Sequence, residues 1–369
     1  MQKRNYVLGR IGLGWLLAAL IVAGGGFALA FSVKRDVETP YYAAQLDAAE
    51  RMDAAEKMLL QVVEDEKIEI TPDDINRTGL IGPEWTALTT TLGHLEAKRS
   101  ALNPNYAALL VRYYKQAGLK AGDTVAIGTS GSFPGLALAT LCGANALDLK
   151  VKVIGSFGAS MYGGTRPELT ILRMYRLMKE KGLADYELLA VSPGGTDDHG
   201  ESVLYADAQE IIARLAQEEG GEFINLPTLE ESIARRLELF GEDVDLFVNV
   251  GGASANSGTS SYTLNFPNGL VLDPPTIPTT PNRGLMYEYA ARGLPVINML
   301  NVRLLCEENG LPYDPVPLPK PGEGGVYYET TYDNRILILS LALALSLIVA
   351  GTLSHRKKQA PPSDNSPKG

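Results

Sequence analysis

Two apolar stretches without charged residues, one near each end of the chain, constrain its architecture more than any other feature. Ile11–Phe31 and Ile336–Leu353 each approach the ~20 residues that an apolar helix needs to cross a bilayer. Basic residues precede the first stretch and follow the second, which favours cytoplasmic termini. Residues 32–335 are therefore predicted to lie outside the cytoplasmic membrane. A cleaved signal peptide is the alternative interpretation, because Ala28-Leu29-Ala30 resembles a cleavage site.

The segment between the two stretches is strongly acidic. It holds 26 basic and 42 acidic residues, a net charge of −16. Such a surface repels polyanions, so nucleic acid and anionic lipid surfaces are not expected as partners unless a local site outweighs the field.

The chain has two cysteines, Cys142 and Cys306, and both fall in predicted helices. Burial as small hydrophobic residues is the main interpretation. A disulfide is the alternative, since it is allowed outside the cytoplasm, but the sequence does not establish that the two are close.

One stretch, Asp123–Leu136, predicts a buried strand that runs into a helix through a glycine- and serine-rich loop. Val125–Ile127 is the apolar run, and Pro134 suits the first helical turn. Backbone N–H groups and the helix dipole make such a loop an anion site in principle. Its G-x-x-G-x-x-x-G spacing differs from the dinucleotide and phosphate-loop patterns, and no lysine follows. No nucleotide or other cofactor is predicted.

Further apolar runs alternate with predicted helices after this stretch. They are Val151–Ile154, Leu188–Val191 and Leu246–Val250. Strands alternating with helices predict an α/β fold, Rossmann-like, with a mostly parallel sheet and helices on both faces. The predicted order of regions is a cytoplasmic end at 1–10, a span at 11–31, a helical membrane-proximal segment at 32–105, the α/β domain at 106–311, a Pro/Gly-rich linker at 312–335, a span at 336–353 and a cytoplasmic tail at 354–369.

Four polar loops follow strands of this predicted sheet, and the carboxyl ends of parallel strands are where open α/β sheets bind ligands. A polar stretch before the domain adds two basic residues to the predicted site. Each loop taken alone is equally typical of a flexible turn. The two basic residues are equally typical of ion pairs on the protein surface. The predicted ligand-binding residues are Thr129, Ser130, Gly131, Ser132, Gly158, Ser160, Gly195, Thr196, Gly251, Gly252, Ser254, Lys98 and Arg99.

Ser130, Ser132 and His199 suggest nucleophilic catalysis, with Asp197 or Asp198 beside the histidine. An aspartate adjacent to the histidine seldom orients the imidazole, and the serine spacing departs from G-x-S-x-G. The same acidic pair and histidine could hold a divalent cation, but no metal-binding spacing supports it and no metal is predicted. Whether the protein is an enzyme stays open.

Several segments resemble the bacterial poly-gamma-glutamate system protein family, whose members are accessory membrane proteins of gamma-polyglutamate production. The matching segments are Thr78–Thr86, Thr89–Gly128, Ser130–Leu136 and Gly158–Ser160, and the pieces Leu-Glu-Ala-Lys-Arg and Ser-Gly-Ser-Phe-Pro are the most specific. The chain departs from the family pattern at two positions, with tyrosine at 162 and arginine at 166.

The resemblance implies a role in making, exporting or anchoring gamma-polyglutamate at the bacterial cytoplasmic membrane. Its implied partners are membrane components of the synthase and an anionic polymer or gamma-glutamyl ligand. The family supplies no catalytic residues to transfer. Three hypotheses therefore follow: a polymer-binding component, a serine-dependent hydrolase or transferase acting on the polymer, and a non-binding scaffold for the synthase.

Overall fold

The computed structural model describes residues 11–200, 204–273 and 276–358. The chain forms two compact units, one from the residues up to Glu38 together with those from Tyr328 onward, and one from Thr39 to Tyr327. The predicted cytoplasmic end at 1–10 and residues 359–369 of the predicted tail lie outside the described residues.

The helices of the described residues are α1 Leu13–Ser32, α2 Tyr42–Asp65, α3 Leu95–Ser100, α4 Asn105–Gln116, α5 Pro134–Asn145, α6 Ile171–Glu180, α7 Ala208–Glu219, α8 Leu229–Phe240, α9 Ser254–Ser257, α10 Gly284–Ala291, α11 Val302–Asn309 and α12 Asn334–Lys358. The strands are β1 Arg35–Glu38, β2 Thr89–Thr91, β3 Thr124–Ser130, β4 Lys150–Ser156, β5 Ala159–Ser160, β6 Glu187–Ser192, β7 Glu222–Phe223, β8 Leu246–Val250, β9 Gly269–Val271, β10 Val296–Met299 and β11 Tyr328–Thr331.

The smaller unit contains the two apolar helices, α1 and α12. Both are long and apolar enough to cross a membrane, and about 11% of each apolar window is buried. Gly26 of α1 lies so close to Ser340 of α12 that a side chain at position 26 would collide with it. Small residues of this kind let helix backbones approach closely. Two helices of this length and apolarity were predicted and are confirmed, whereas membrane insertion and orientation stay predictions.

The larger unit is built on a seven-stranded sheet with the order β7-β6-β4-β3-β8-β10-β9. Neighbouring strands are parallel except for β9, which runs antiparallel to β10 at the edge. The mixed α/β class with a mostly parallel sheet is therefore confirmed. The antiparallel edge strand was not predicted.

Both faces of the sheet are covered, as the apolar runs require. Val125 and Ile127 of β3 belong to one hydrophobic cluster with α2, α4 and α5, while Ala126 belongs to a second cluster with α8 and α10. Successive side chains of a strand point to opposite faces, so an uninterrupted apolar run such as that of β3 needs apolar cover on both sides.

The strand order changes direction beside β3. From β3 the chain adds β4, β6 and β7 on one side, and it then returns to place β8 on the other side. Loops that leave neighbouring strands in opposite directions open a crevice at their carboxyl ends. The predicted glycine- and serine-rich loop after β3 lies at this crevice.

The compact unit is wider than the α/β domain that was placed at 106–311. Buried Met52, Leu59 and Val63 pack α2 into the same core. The proline-rich segment that follows α11, predicted as part of a linker, is held by an ion pair between Arg99 and Asp314 and by the buried Tyr327. These contacts were not visible in the sequence because the partners are far apart along the chain.

Candidate functional site

A cavity of about 770 Å³ opens at the carboxyl ends of the central strands. Its walls come from the loops that follow β3, β4, β6, β8 and β10, and from the segment that includes α3. The lining residues are Thr90, Thr91, Leu92, Gly93, His94, Glu96, Ala97, Lys98, Ser130, Ser132, Phe133, Gly158, Ser160, Gly195, Thr196, Gly252, Ala253, Ser254, Leu300, Asn301, Val302, Arg303 and Tyr313.

The structure brings together most of the residues that the sequence predicted for ligand binding. Those that line the cavity are Lys98, Ser130, Ser132, Gly158, Ser160, Gly195, Thr196, Gly252 and Ser254. Thr129, Gly131, Gly251 and Arg99 are not among the lining residues, and neither are the catalytic candidates Asp197, Asp198 and His199.

Lys98 lies at the centre of this arrangement, although its side chain is buried. Its ammonium nitrogen Nζ contacts the carbonyl oxygen of Ser132 and lies 2.5 Å from Oγ of Ser160. The same nitrogen stands 3.6 Å from the ring centre of Phe133. Among the described residues no carboxylate forms an ion pair with it. Burial without a compensating negative charge lowers the pKa of Lys98 to about 7.

Three serines connect the loops around Lys98. The backbone N–H of Ser160 donates to Oγ of Ser132 over 3.1 Å. The N–H of Ser132 donates to Oγ of Ser130, and that hydroxyl donates to the carbonyl of Val250, each over 3.4 Å. The loops after β3, β4 and β8 are thus linked by hydrogen bonds at the floor of the cavity.

Helix α5 begins at the cavity wall. Pro134 is its first residue, Phe133 precedes it, and no side chain in the described part of the chain caps it. The first N–H groups of a helix lack partners within the helix, and the dipole makes this end partly positive. This end of α5 favours negative charge in the cavity.

The rim of the cavity carries exposed charged and polar groups. Arg303 stacks its guanidinium over the ring of Tyr313 at 4.2 Å, and His94 and Glu96 are exposed nearby in the lining. The segment after β10, which supplies Leu300 to Arg303 and includes the start of α11, was not predicted to contribute. The signal was present, because this apolar run also ends in a polar residue, Asn301.

Arg99, the other predicted basic residue, has a different role. Its Nε and Nη2 lie 2.7 and 2.5 Å from the two carboxylate oxygens of Asp314. This bidentate pair joins α3 to the segment that follows α11. Arg99 and Lys98 are adjacent in sequence, yet they point to different partners.

Asp198 is occupied within the protein interior rather than in the cavity. It forms an ion pair of 2.8 Å with Arg236, and both side chains are 3% exposed. The hydroxyls of Ser192 and Ser232 donate to its two oxygens over 2.8 and 2.6 Å, and the N–H of Gly194 donates over 3.1 Å. A carboxylate satisfied in this way stabilises the loop after β6.

Asp197 and His199, the other two residues of this predicted catalytic and metal-binding cluster, do not form a site with Asp198. Asp197 is exposed in a left-handed backbone conformation, with φ of 51°. His199 uses its backbone carbonyl to accept from Gln209. The part of the chain that the structure describes contains no group of three or more His, Cys, Asp or Glu side chains arranged to hold a metal ion.

Both cysteines are buried free thiols, Cys142 in α5 and Cys306 in α11. Burial raises the pKa of each thiol. Neither belongs to the cavity lining.

No family model matches the chain, and no curated protein matches it. The geometry of the cavity therefore carries the functional argument.

Proposed function

We propose that the unit Thr39–Tyr327 is a Rossmann-like, extracytoplasmic domain that binds gamma-glutamyl carboxylates in the cavity described above. In this proposal the protein is an accessory membrane component of gamma-polyglutamate production at the bacterial cytoplasmic membrane. The apolar helices α1 and α12 anchor it and provide a surface for membrane components of the synthase.

The single observation that carries the proposal is the meeting of separate segments in one cavity. Leu95–Arg99, Ser130–Pro134 and Gly158–Ser160 carry the resemblance to the poly-gamma-glutamate system proteins, and each contributes residues to the cavity wall. The three segments are 24 or more positions apart in the chain, and the fold brings all of them to the same cavity.

Electrostatics explain how an acidic protein can bind an acidic ligand. The predicted outer segment has a net charge of −16, so a carboxylate is repelled at long range. Inside the cavity, the first turn of α5 contributes ~0.3–2 kcal/mol per favourable charge, and each charge-assisted hydrogen bond ~1.5–3 kcal/mol. Arg303 adds a cation at the rim.

Gly252 offers a way to test this binding without disturbing the fold. A Cβ at position 252 would meet only Cδ1 of Leu300, at 3.7 Å, and the backbone there needs no left-handed conformation. Position 131 is unsuitable because a Cβ would lie 2.9 Å from Cβ of Ala159 and 3.0 Å from the carbonyl oxygen of Phe157.

We expect Gly252→Asp to weaken binding of a gamma-glutamyl oligomer by about tenfold or more, because it adds a negative charge inside the cavity. Gly252→Ala and Gly252→Asn are the matched neutral controls and should bind within about twofold of the natural protein. The measurement is calorimetric titration of the full chain in detergent. Equal affinity of the aspartate and asparagine variants would move the site elsewhere.

Absence of binding by the natural protein would favour the scaffold hypothesis instead. In that case changes in the cavity loops would leave polymer production in cells unaffected. Changes on the exposed face of α2 or in the apolar helices would reduce it.

A further inference from the structure

The contact between Lys98 and Ser160 has chemical properties that ligand binding alone does not require. The two side chains come from α3 and β5, their polar atoms lie 2.5 Å apart, and both residues line the cavity. Ser160 is 6% exposed, so its hydroxyl is held in place but faces the cavity. A hydroxyl within hydrogen-bond distance of an amine is the arrangement that activates a serine nucleophile.

We propose that Ser160 is a nucleophile and Lys98 its general base, and that the pair cleaves gamma-glutamyl amide bonds or transfers the gamma-glutamyl group to another amine. The choice of this substrate class rests on the proposed function. The assignment of the pair rests on the geometry of the cavity.

Each proton in the reaction has a defined place. The neutral amine of Lys98 accepts the hydroxyl proton of Ser160 as Oγ attacks the gamma-carbonyl carbon. The C–N bond then breaks, the ammonium of Lys98 gives its proton to the leaving amine, and a gamma-glutamyl ester of Ser160 remains. Water or a second amine attacks this ester with Lys98 accepting its proton, and the proton returns to Ser160 as the ester bond breaks. Hydrolysis yields a free gamma-carboxylate, and transfer yields a new amide.

Ser132 positions both members of the pair. Its carbonyl oxygen accepts from Nζ of Lys98, and its Oγ accepts from the backbone N–H of Ser160. With one N–H directed at Ser132, the lone pair of a neutral Lys98 amine is free to face the hydroxyl of Ser160. The positive end of α5 starts at Phe133 beside them and favours the oxyanion that forms during attack.

The charge state of Lys98 agrees with this role. A lysine with its ordinary pKa would be an ammonium at neutral pH and could not accept a proton, whereas burial lowers the pKa of Lys98 to about 7. The other titratable groups that line the cavity are His94, Glu96, Arg303 and Tyr313. A lysine whose only role was to hold the loops together by hydrogen bonds could do so as an ammonium, without losing its proton.

The first experiment locates the nucleophile in the natural full-length protein, purified in detergent. It is treated with a fluorophosphonate, which forms a covalent ester with an activated serine, and the modified residue is identified by mass spectrometry. We expect modification at Ser160. Modification at Ser130, Ser132 or Ser254, or no modification, would overturn the assignment.

Variants of Lys98 then test whether it acts as a general base or only holds the loops together. Lys98→Met and Lys98→Arg should each slow the modification by about 100-fold or more, because neither side chain accepts a proton at neutral pH. Ser261→Ala, which changes an exposed serine outside the cavity lining, should leave the rate unchanged. Modification of Ser160 in Lys98→Arg at the natural rate would show that Lys98 only holds the loops. Thermal unfolding of each variant checks that it is folded.

The last measurement uses gamma-glutamyl-p-nitroanilide and follows the release of p-nitroaniline. The rate kcat/KM should rise as the pH increases through about 7, as Lys98 loses its proton. A protein that binds gamma-glutamyl oligomers but neither reacts with the fluorophosphonate nor releases p-nitroaniline would overturn this inference and leave the proposed binding intact. Modification of Ser160 without binding of gamma-glutamyl oligomers would sustain the pair and overturn the proposed ligand.

Discussion

Two of the buried cations in the larger unit, Arg236 and Lys98, differ in their surroundings. Arg236 is 3% exposed and forms an ion pair with Asp198, and Ser192 and Ser232 complete its hydrogen bonds. Lys98 is 2% exposed and contacts two neutral oxygens and the face of an aromatic ring. Arg236 lies in packed protein, whereas Lys98 faces a cavity.

The difference shows which of the two charges the fold needs. The charge of Arg236 is compensated within the protein, so that pair stabilises the loop after β6 and is complete without a ligand. The charge of Lys98 is not compensated, and its depressed pKa reflects a free energy that the fold gives up. Buried charged groups that lack a compensating partner, and whose pKa is shifted as a result, concentrate at functional sites.

The largest effect should follow from removing the partner of Arg236. Asp198→Asn leaves a buried guanidinium without its carboxylate, and we expect the free energy of unfolding to fall by about 3–5 kcal/mol. Urea denaturation of the full chain in detergent measures it. Asp197→Asn is the matched control, since Asp197 is exposed and asparagine tolerates its backbone conformation, and its effect should stay within about 0.5 kcal/mol. Equal effects of the two variants would show that the buried pair does not hold the loop.

Removing Lys98 should have the opposite sign. A fall of its pKa from 10.5 to about 7 costs the fold roughly 4 kcal/mol at pH 7, on the basis of ~1.4 kcal/mol per pKa unit. Lys98→Met removes this cost but loses hydrogen bonds to Ser132 and Ser160, each worth about 0.5–1.5 kcal/mol. We therefore expect the free energy of unfolding at pH 7 to rise by about 1–3 kcal/mol.

The pH dependence identifies the cause of that gain. As the pH rises from 7 to 9, Lys98 loses its proton in the folded state of the natural protein, while the unfolded state keeps it protonated. Raising the pH therefore stabilises the natural protein, by up to ~1.4 kcal/mol per pH unit from this group. The gain from Lys98→Met should shrink over the same range. A gain that is constant with pH would attribute it to packing.

The sequence predicted the parts of this site that depend on local pattern. Strands that end in glycine and serine predicted the loops after β3, β4, β6 and β8, and the rule for parallel sheets placed them together. It did not predict the burial of Lys98, because Leu95–Arg99 is typical of an exposed helical turn. The contacts that bury Lys98 reach residues 34 and 62 positions away.

The misplaced candidates have the same physical origin. Asp198 and His199 are neighbours in the sequence, and an acid beside a histidine suggested catalysis. The residue that determines the role of Asp198 is instead Arg236, which lies 38 residues later in the chain. The edge strand β9 lies beside a proline-rich stretch and is three residues long, too short to give an alternating pattern. Such features depend on tertiary contacts.

Arg99 sharpens the comparison, because it is a third cation that follows Lys98 directly in the chain. Its pair with Asp314 is bidentate but partly exposed, with side-chain exposures of 13% and 23%. Water therefore screens the pair, and we expect Arg99→Gln to lower the free energy of unfolding by only about 1 kcal/mol, and by less in 1 M salt. Binding of a gamma-glutamyl oligomer should change less than about twofold, since Arg99 is outside the cavity lining. Urea denaturation at two salt concentrations and calorimetric titration measure the two effects. A loss of binding without a loss of stability would show that Arg99 releases Asp314 to reach the ligand. The cavity would then have a further cation, beside Lys98 and Arg303, that the unliganded arrangement conceals.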